Sequence, residues 1–408
     1  MKLPSTWQTQ TLDELVSFRS GGTPSKNNSQ YWGGEFPWVT PKDLKKIILF
    51  DSQDRLTKEG AATAQVTGKD SLLILVRGMT LFKEVPVCLV GRNMAFNQDI
   101  KALAVRDDVD PRYLQAYLIS MKNLLLRCVD SAGHGTGRMN MDMLRGFLVL
   151  FPPLPEQKAI VDLLSAWDEA IEKTERLIQA KENSLKAKIQ RMMGKEAIDA
   201  NGWPIVHLGK LFSEVTRKVG RKELTPFSIS AGIGFVSQSE KWGKDISGAQ
   251  YKNYTHLKAG EFSYNKGNSK QYQQGCVYLL KEGEICVPNV FISFKARANK
   301  DVVPEFFEHY FIADYHAREL KRYITSGARS DGLLNLDKKD FFKIMVPCPS
   351  PGEQKNIAES LNASQYEIDL LKKLAEKYKT QKRGLMQKMF TGQWRIRPEI
   401  VNQYMEVV

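Results

Sequence analysis

The chain has 408 residues and carries 59 Lys and Arg against 46 Asp and Glu, which leaves a formal net charge of +13. That length predicts two or three domains, and the excess of positive charge favours a nucleic acid partner. Seven Trp, nineteen Phe and fourteen Tyr exclude a disordered chain, and no apolar run reaches the roughly 18 residues of a membrane span. Five cysteines without close pairing, and no apolar leader segment or metal-ligand cluster, lead us to expect a cytoplasmic protein without a metal site.

The first 150 residues have the pattern of an α+β domain. One helical stretch, residues 111–128, lies among short apolar runs that are bounded by turn residues. These runs predict strands at 71–76, 85–90, 100–105 and 147–151.

A long helix is predicted after this domain. From Ile160 to Met192 the apolar positions are spaced alternately by four and three residues, which is typical of a coiled coil. Pro155 suits the first turn, and about 35 residues correspond to a rod of roughly 50 Å. Lys and Ser occupy some positions of the apolar stripe along which two such helices would pack (the helix seam). We expect these polar side chains near the exposed ends of the helices or against another subunit. An alternative is that the stripe is simply buried in a globular core.

The second half repeats the first. PPLPEQK at 152–158 returns as PSPGEQK at 349–355, with the EQK triplets 197 residues apart, and Trp7 has its counterpart in Trp203. Strands are predicted at 275–280 and 290–294, a turn at 231–235, a helix over 304–324 and a second long helix from Pro351 onward. The chain is therefore interpreted as two copies of a domain followed by a helix.

The positive charge is concentrated in the two domains. Residues 1–150 carry +4 and residues 200–350 carry +7, whereas residues 155–194 are neutral and residues 352–391 carry +3. Two basic surfaces separated by a spacer suggest binding to an extended polyanion.

Motifs of autonomous enzymes are missing from the sequence. There is no phosphate-binding P-loop and no dinucleotide fingerprint, so an autonomous DNA enzyme has no motif in its support. Glu156 and Lys158, like Glu353 and Lys355, match half of a metal-dependent nuclease motif. Both pairs open a helix directly after proline, where a carboxylate favours the helix dipole, and this is the preferred explanation.

Tandem basic domains that each end in a PxPxEQK-opened coiled-coil helix resemble the specificity subunits of type I restriction–modification enzymes. The resemblance covers the whole chain and is strongest at 149–193 and 346–392. Gly21-Gly22-Thr23-Pro24-Ser25-Lys26 and Asn97-Gln98-Asp99 look like one common subclass of target recognition domain, and 264–268 looks like another.

The resemblance implies an α+β fold with two target recognition domains in tandem, each followed by a long helix, the two helices packing as an antiparallel coiled coil. The implied segments are a first recognition domain (1–151), a first spacer helix (152–196), a second domain (197–348), a second spacer helix (349–395) and a C-terminal tail (396–408).

The same resemblance implies the partners. Each domain would read half of a split sequence in double-stranded DNA, and because the halves differ we expect an asymmetric target. Two methyltransferase subunits and restriction–translocase subunits would bind this chain, and no membrane is involved. S-adenosylmethionine, ATP and Mg²⁺ would belong to those partners, and this chain would be a non-catalytic subunit that binds no cofactor or metal.

Candidate DNA contacts are loop residues with suitable donors. In the first domain they are Gly22, Thr23, Ser25, Lys26, Lys42, Arg77, Lys83, Asn97, Gln98 and Arg138. In the second domain they are Arg217, Lys218, Arg221, Lys241, Lys244, Lys266, Asn268, Lys270 and Arg329.

Less specific roles stay open for these residues. Any single cation is also explained as solvated surface, and Asn97 to Asp99 as a turn stabilised by side chains. Trp32, Trp38 and Trp242 have the shape to stack on or wedge into a duplex, although core packing is the preferred interpretation. For the whole chain, the alternative is a coiled-coil scaffold whose basic domains bind acidic proteins or a membrane surface.

Overall fold

A computed structural model describes residues 5–132, 135–243, 248–267, 272–324 and 333–405. The chain divides into two compact units. The first unit comprises residues 1–174 with 374–408, and the second comprises residues 175–373. Each unit contains one α+β domain together with a segment of each of two long helices.

The domain of the first unit is built on four sheets, with strand orders β2-β11-β7-β9-β4, β5-β3-β10-β6, β12-β13-β8 and β1-β14. The strands are β1 Gln8–Thr11, β2 Val16–Ser20, β3 Trp32–Val39, β4 Ile48–Leu49, β5 Asp54–Leu56, β6 Val66–Thr67, β7 Leu72–Leu75, β8 Arg77–Gly78, β9 Val87–Val90, β10 Met94–Phe96, β11 Ile100–Val105, β12 Val129–Ala132, β13 Thr136–Met139 and β14 Leu148–Phe151. Strand β7 is central and all four of its residues are buried, which explains its continuous apolar run.

Among its described residues this domain also has the short α-helices α1 Leu12–Leu15, α2 Lys58–Thr63, α3 Pro111–Ser120, α4 Lys122–Leu125 and α5 Met141–Arg145. Asp110 caps α3 by accepting the N–H groups of Arg112 and Tyr113, and Pro111 occupies the first turn. The stretch predicted as one helix over 111–128 is thus α3, α4 and a short 3₁₀ turn, with a break at Met121.

The domain of the second unit has a four-stranded sheet of order β16-β23-β20-β21 and three two-stranded sheets. Its strands are β15 Ile205–His207, β16 Phe212–Glu214, β17 Phe227–Ser230, β18 Gly234–Ser237, β19 Thr255–Lys258, β20 Phe262–Asn265, β21 Cys276–Leu279, β22 Glu284–Val287, β23 Ile292–Ala296 and β24 Met345–Pro347. Its helices are α8 Leu208–Leu211, α9 Gln238–Trp242, α10 Pro304–Ile312, α11 Ala317–Leu320 and α12 Lys338–Phe341.

The predicted strands coincide with β7, β9, β11, β14, β21 and β23, and the predicted turn at 231–235 is the β17–β18 hairpin. The prediction of one uninterrupted helix over 304–324 is wrong. Asp314 has a left-handed backbone, with φ of 61°, and it separates α10 from α11. Apolar periodicity continues across this break, because both short helices pack on the same core.

The two long helices are α6 Leu154–Met193 and α13 Pro351–Phe390, each of 40 residues. They are longer than the predicted 35 residues, and Pro155 and Pro351 lie in their first turns as predicted. The short helices α7 Lys195–Ala200 and α14 Pro398–Asn402 follow them.

Segments of the two long helices pack antiparallel within each unit. In the first unit the rings of Trp167 and Tyr378 meet edge to face, with centroids 5.7 Å apart, and Lys382 pairs with Asp168. In the second unit Lys181 pairs with Glu367 at 2.8 Å, and Lys372 with Glu182 at 2.6 Å. The predicted α+β fold with two long antiparallel helices is confirmed.

The polar side chains of the helix seam were predicted near exposed ends or against another subunit, and the structure places them differently. Lys188 Nζ donates to the Ser360 carbonyl at 2.7 Å and to Ser364 Oγ at 3.0 Å, and all three residues belong to the second unit. These seam positions therefore have partners on the facing helix, which satisfies their donors without a further subunit.

Parts of both helices also join the domain cores. Ile160 and Leu164 of α6, with Met389 and Phe390 of α13, are buried in the core of the first domain. Leu185 and Ile189 of α6 pack in the core of the second, with Ile357, Leu361 and Ile368 of α13. Core burial and helix pairing, posed as alternatives from the sequence, therefore occur along the same helices. No helix in the described part of the chain is long and apolar enough to cross a membrane.

Candidate nucleic-acid interface

The loop of residues 21–26 is held against the strand end at Phe96 by its backbone. Gly22 N–H donates to the Phe96 carbonyl at 2.9 Å, and Trp38 Nε1 donates to the Gly22 carbonyl at 3.0 Å. A Cβ atom on Gly21 would lie 2.1 Å from the Asn97 carbonyl oxygen, so this close approach requires glycine. The loop is thereby fixed, while Ser25 and Lys26 are exposed.

The turn of residues 97–99 forms the other side of this loop. Asn97 is only 7% exposed, and its amide donates to the Asp99 carboxylate at 3.2 Å and accepts the Asp99 N–H at 3.1 Å. Gln98 is exposed and accepts a hydrogen bond from Thr23 Oγ1 at 2.6 Å. Of the two amides that the sequence offers for base contact, Asn97 therefore stabilises the turn, and Gln98 faces outward.

Exposed cations adjoin the same turn. Arg77 in β8 and Arg138 in β13 are paired in the antiparallel register, and the Asp99 carbonyl accepts the N–H of Arg77 at 3.3 Å. Both side chains are exposed, as is Lys83 a few residues beyond β8. Lys42 is exposed in the loop after β3, whose last residue, Val39, accepts the Asn97 N–H at 3.0 Å. We name residues 21–26, 97–99, β8 and β13 the first-domain surface.

Candidates in the second domain form two groups. Arg217 pairs with the buried carboxylate of Glu261 at 2.7 Å, and Lys218 donates to the Asn253 carbonyl at 3.1 Å. Arg221 follows in the same segment and is exposed. Because Glu261 immediately precedes β20, this group lies at the start of that strand.

The other group lies beyond the far end of β20. Lys266 directly follows the strand and donates to the Leu336 carbonyl at 3.0 Å. The preceding Asn265 donates to the Ile229 carbonyl at 3.1 Å, and Lys241 Nζ lies 3.5 Å from the same oxygen. At about 3.3 Å per residue, Glu261 and Lys266 are roughly 17 Å apart along the chain. The described candidates of the second domain therefore lie in two separate groups at opposite ends of β20, unlike those of the first domain. Lys244, Asn268, Lys270 and Arg329 lie outside the described residues.

The three tryptophans have different environments. Trp38 is 5% exposed and meets Trp32 edge to face with ring centroids 5.0 Å apart, so these two pack internally as preferred from the sequence. Trp242 is 43% exposed, and Lys241 Nζ lies 4.8 Å from its ring centroid. Core packing is therefore wrong for Trp242.

The glutamine of each EQK triplet joins a domain to its helix. The buried Gln157 donates to the carbonyls of Pro152 and Asp108, at 2.8 and 3.0 Å, and accepts the Asp110 N–H at 2.8 Å. The equally buried Gln354 donates to the Pro349 carbonyl and accepts the Val303 N–H, both at 2.9 Å. The repeated motif is thus a structural joint, a role that the spacing alone did not reveal.

The glutamates of the triplets have different partners. Glu156 accepts two hydrogen bonds from Arg395, whereas Glu353 accepts the N–H and hydroxyl of Ser350 and Trp203 Nε1. The Ser350 bonds hold the pKa of Glu353 below its ordinary value. Both carboxylates therefore accept structural hydrogen bonds, in addition to their favourable position in the first turn of a helix. No cluster of three or more His, Cys, Asp or Glu suited to a metal occurs among the described residues.

The chain thus has two basic domains and a pair of long helices, and the polar residues of its repeated EQK triplets hold the helices to the domains. Residues 4–182 match the family model described as the type I restriction modification DNA specificity domain. The specificity subunit of the type I restriction enzyme EcoR124I/EcoR124II from Escherichia coli is 30% identical over 39% of this chain and 40% of its own length.

Two further comparisons extend over nearly the whole chain. The specificity subunit of the enzyme MjaIX from Methanocaldococcus jannaschii is 23% identical over 97% of this chain and 95% of its own. The crystal structure of the S subunit of a type I restriction–modification system from M. genitalium has the same fold, with a TM-score of 0.56, 16% identity and coverage of 96% and 98%.

The chain is thus similar, over nearly its whole length, to specificity subunits of type I restriction–modification enzymes. These similarities favour a DNA specificity component, and the alternative of a coiled-coil scaffold for acidic proteins or membranes is not favoured. The individual DNA contacts predicted above stay predictions.

Proposed function

We propose that this chain reads a bipartite, asymmetric DNA sequence, with one half-site for each domain. The observation that carries the proposal is the first-domain surface, where a rigid loop, an outward amide and exposed Arg77 and Arg138 occur together. Exposed arginines and amides suit base edges in the major groove, and the surrounding lysines suit phosphates. The second domain carries a different set of side chains, so its half-site would differ.

The long helices would act as spacers between the half-sites. Each has 40 residues, which corresponds to about 60 Å of α-helix at 1.5 Å per residue. Ion pairs and hydrogen bonds between the helices, such as those of Lys188 and Lys372, would stiffen the pair. The number of unspecified base pairs between half-sites would then depend on helix length.

Catalysis would belong to partners. Two methyltransferase subunits would bind this chain with S-adenosylmethionine, and restriction–translocase subunits would supply ATP- and Mg²⁺-dependent cleavage. This chain would contribute no cofactor site and no catalytic residue. The whole complex would act within the cytoplasm of a bacterium or archaeon.

The primary experiment is co-expression of this chain with its cognate methyltransferase subunit, followed by sequencing of methylated adenines across a plasmid library. One split motif with two unlike halves is expected. Binding of that duplex should weaken steeply as salt rises, because phosphate contacts release counterions. A complex that methylates no split sequence, or a binding affinity insensitive to salt, would contradict the proposal.

The spacer role has its own test. Insertion of seven residues into both α6 and α13, at positions that face each other, preserves the heptad register and adds about 10 Å. The tolerated gap should grow by about three base pairs at 3.4 Å each, with both half-sites unchanged. Seven alanine substitutions on exposed positions of the same helices provide the matched control. An unchanged gap in the insertion variant would contradict the spacer role.

A further inference from the structure

In the described part of each domain, one large apolar side chain is about three-quarters exposed and more exposed than the other large apolar side chains. Among the large hydrophobic residues that the structure describes, the two most exposed are Ile233, at 77%, and Met79, at 73%. Single exposed apolar residues are ordinary on protein surfaces. These two differ because rigid backbone holds them and because cations lie beside them.

Met79 and Phe82 form an apolar pair on a short 3₁₀ helix, Met79–Phe82, that directly follows β8. With three residues per turn, side chains three apart share one face, so Met79 and Phe82 project together. Phe82 is 50% exposed, whereas Leu81 is fully buried and anchors the turn. A Cβ atom on Gly137 would lie 2.9 Å from Leu81 Cβ, so β13 packs tightly beneath it. We name Met79 with Phe82 the apolar tip.

Exposed cations flank the apolar tip in the chain and in the neighbouring strand. Arg77 precedes it in β8, Lys83 follows it, and Arg138 in β13 is the register partner of Arg77. Two arginines and a lysine next to an apolar pair favour a polyanionic partner, whose phosphates these cations can neutralise. A DNA duplex offers the complementary arrangement, with phosphates at the rim of a groove and apolar base surfaces within it.

The second domain has a comparable feature. Ile233 lies in the β17–β18 hairpin turn, where its N–H donates to the Ser230 carbonyl at 3.1 Å and Gly232 N–H donates to Tyr278 Oη at 2.8 Å. Lys241 lies beside the same hairpin, 3.5 Å from the carbonyl of Ile229. A rigid turn thus again presents an apolar side chain next to a cation.

We propose that the apolar tip of Met79 and Phe82, and Ile233 in the second domain, insert against the bases of the two half-sites as wedges. Met, Phe and Ile are among the side chains that DNA-binding proteins push between base steps. This inference rests on the proposed function, because it assumes that each domain binds DNA. The wedges add an apolar contact to bases, where the predicted cations contact phosphate or base edges.

The test uses the full-length chain in complex with its methyltransferase subunit and a duplex that carries the motif found by methylation sequencing. The double variant Met79→Ser/Phe82→Ser should bind about ten-fold more weakly, the loss typical of one base contact. The slope of log affinity against log salt should not change, because no phosphate contact is removed. Lys83→Ala should instead reduce that slope by about one.

A base-stacking readout separates a wedge from a general surface effect. With 2-aminopurine scanned through the first half-site, the wild-type complex should raise fluorescence at one step, and the double variant should not. Leu148→Ser is the matched control, since Leu148 lies in β14 of the same domain and is 59% exposed. It should bind and unstack like wild type. Ile233→Ser should abolish unstacking in the second half-site alone, which keeps the proposal testable if the double variant misfolds.

The same measurements distinguish failure of the wedge from failure of the proposed function. If wild type methylates and binds its motif while the double variant and Ile233→Ser match it in affinity and 2-aminopurine signal, the wedge is refuted and the proposed function stands. A parallel loss in Leu148→Ser would also refute the wedge. If the wild-type complex binds no specific duplex, the proposed function fails, and the wedge fails with it.

Discussion

Removal of the Arg395 guanidinium should release the C-terminal segment from the first domain. Arg395 Nε donates to Glu156 Oε1 at 2.9 Å, and Nη2 donates to Glu156 Oε2 at 2.7 Å, so the pair is bidentate. Nη2 also reaches Thr6 Oγ1 at 3.3 Å. The Glu156 side chain is 3% exposed and that of Arg395 is 44% exposed. In Arg395→Met the buried carboxylate loses both charged donors while the aliphatic stem is largely kept.

The magnitude follows from the burial of the two partners. Breaking a buried ion pair costs about 3–5 kcal/mol, and one hydrogen bond to a charged group contributes about 1.5–3 kcal/mol. Since the guanidinium is half exposed, water already competes for it, and a loss of about 2–3 kcal/mol is expected here. At about 1.4 kcal/mol for each factor of ten, hydrogen exchange in the tail should accelerate by about 30- to 150-fold.

The assay is hydrogen–deuterium exchange followed by mass spectrometry of peptides that cover residues 391–405. Arg397→Met is the matched control, because Arg397 is an exposed arginine of the same segment, and it should leave exchange unchanged. Glu156→Gln combined with Arg395→Met should recover part of the protection, since no charge is then left buried. Unchanged exchange in Arg395→Met, or equal effects of both arginine variants, would refute the reasoning.

Three further changes probe the loop, the joint and a buried histidine. Gly21→Ala places a Cβ atom 2.1 Å from a backbone oxygen and should lower the melting temperature and the DNA affinity. Gly22→Ala, whose Cβ atom would have no atom within 4 Å, should alter the melting temperature little. Equal melting temperatures of the two variants would contradict the close packing at Gly21. Gln354→Leu leaves the half-buried Val303 N–H without its acceptor and should destabilise the second domain by about 1–3 kcal/mol in urea unfolding. A loss below about 0.5 kcal/mol would count against this role of Gln354. Burial lowers the pKa of His316 to about 3, so its contribution is complete above the unfolded pKa of about 6.5 and is lost as pH falls toward 3. Between pH 7 and pH 5 wild type should therefore lose about 2 kcal/mol more than His316→Phe, and parallel pH profiles would disprove this.

Local patterns were sufficient for the main elements of the fold. The all-buried β7 appeared as an unbroken apolar run, and α6 and α13 as apolar positions spaced by three and four. These signals are local, since a strand or helix repeats its geometry every few residues. The break at Asp314 gave no such signal, because the residues on both sides keep facing one core.

The candidate interface was predictable only as a pool of residue types. The sequence identified Asn97 and Gln98 as amides and Arg217 as a cation without indicating their partners. In the structure the Asn97 amide donates to Asp99, and Arg217 donates to Glu261, which is 44 residues away. Whether a polar side chain is available to a ligand depends on such neighbours, and these are set by the tertiary fold.

The sequence by itself thus determined the duplication, the two basic domains, the α+β class and the two long helices, because repeats, charge and periodicity are properties of residue order. Only the tertiary structure decided which donors face solvent, that Gln157 and Gln354 join domain to helix, and that Met79 and Ile233 project from rigid turns. The physical reason is that burial and partner choice arise from contacts between distant parts of the chain. A periodic pattern records which face of an element is apolar, but not what that face or its polar opposite will meet.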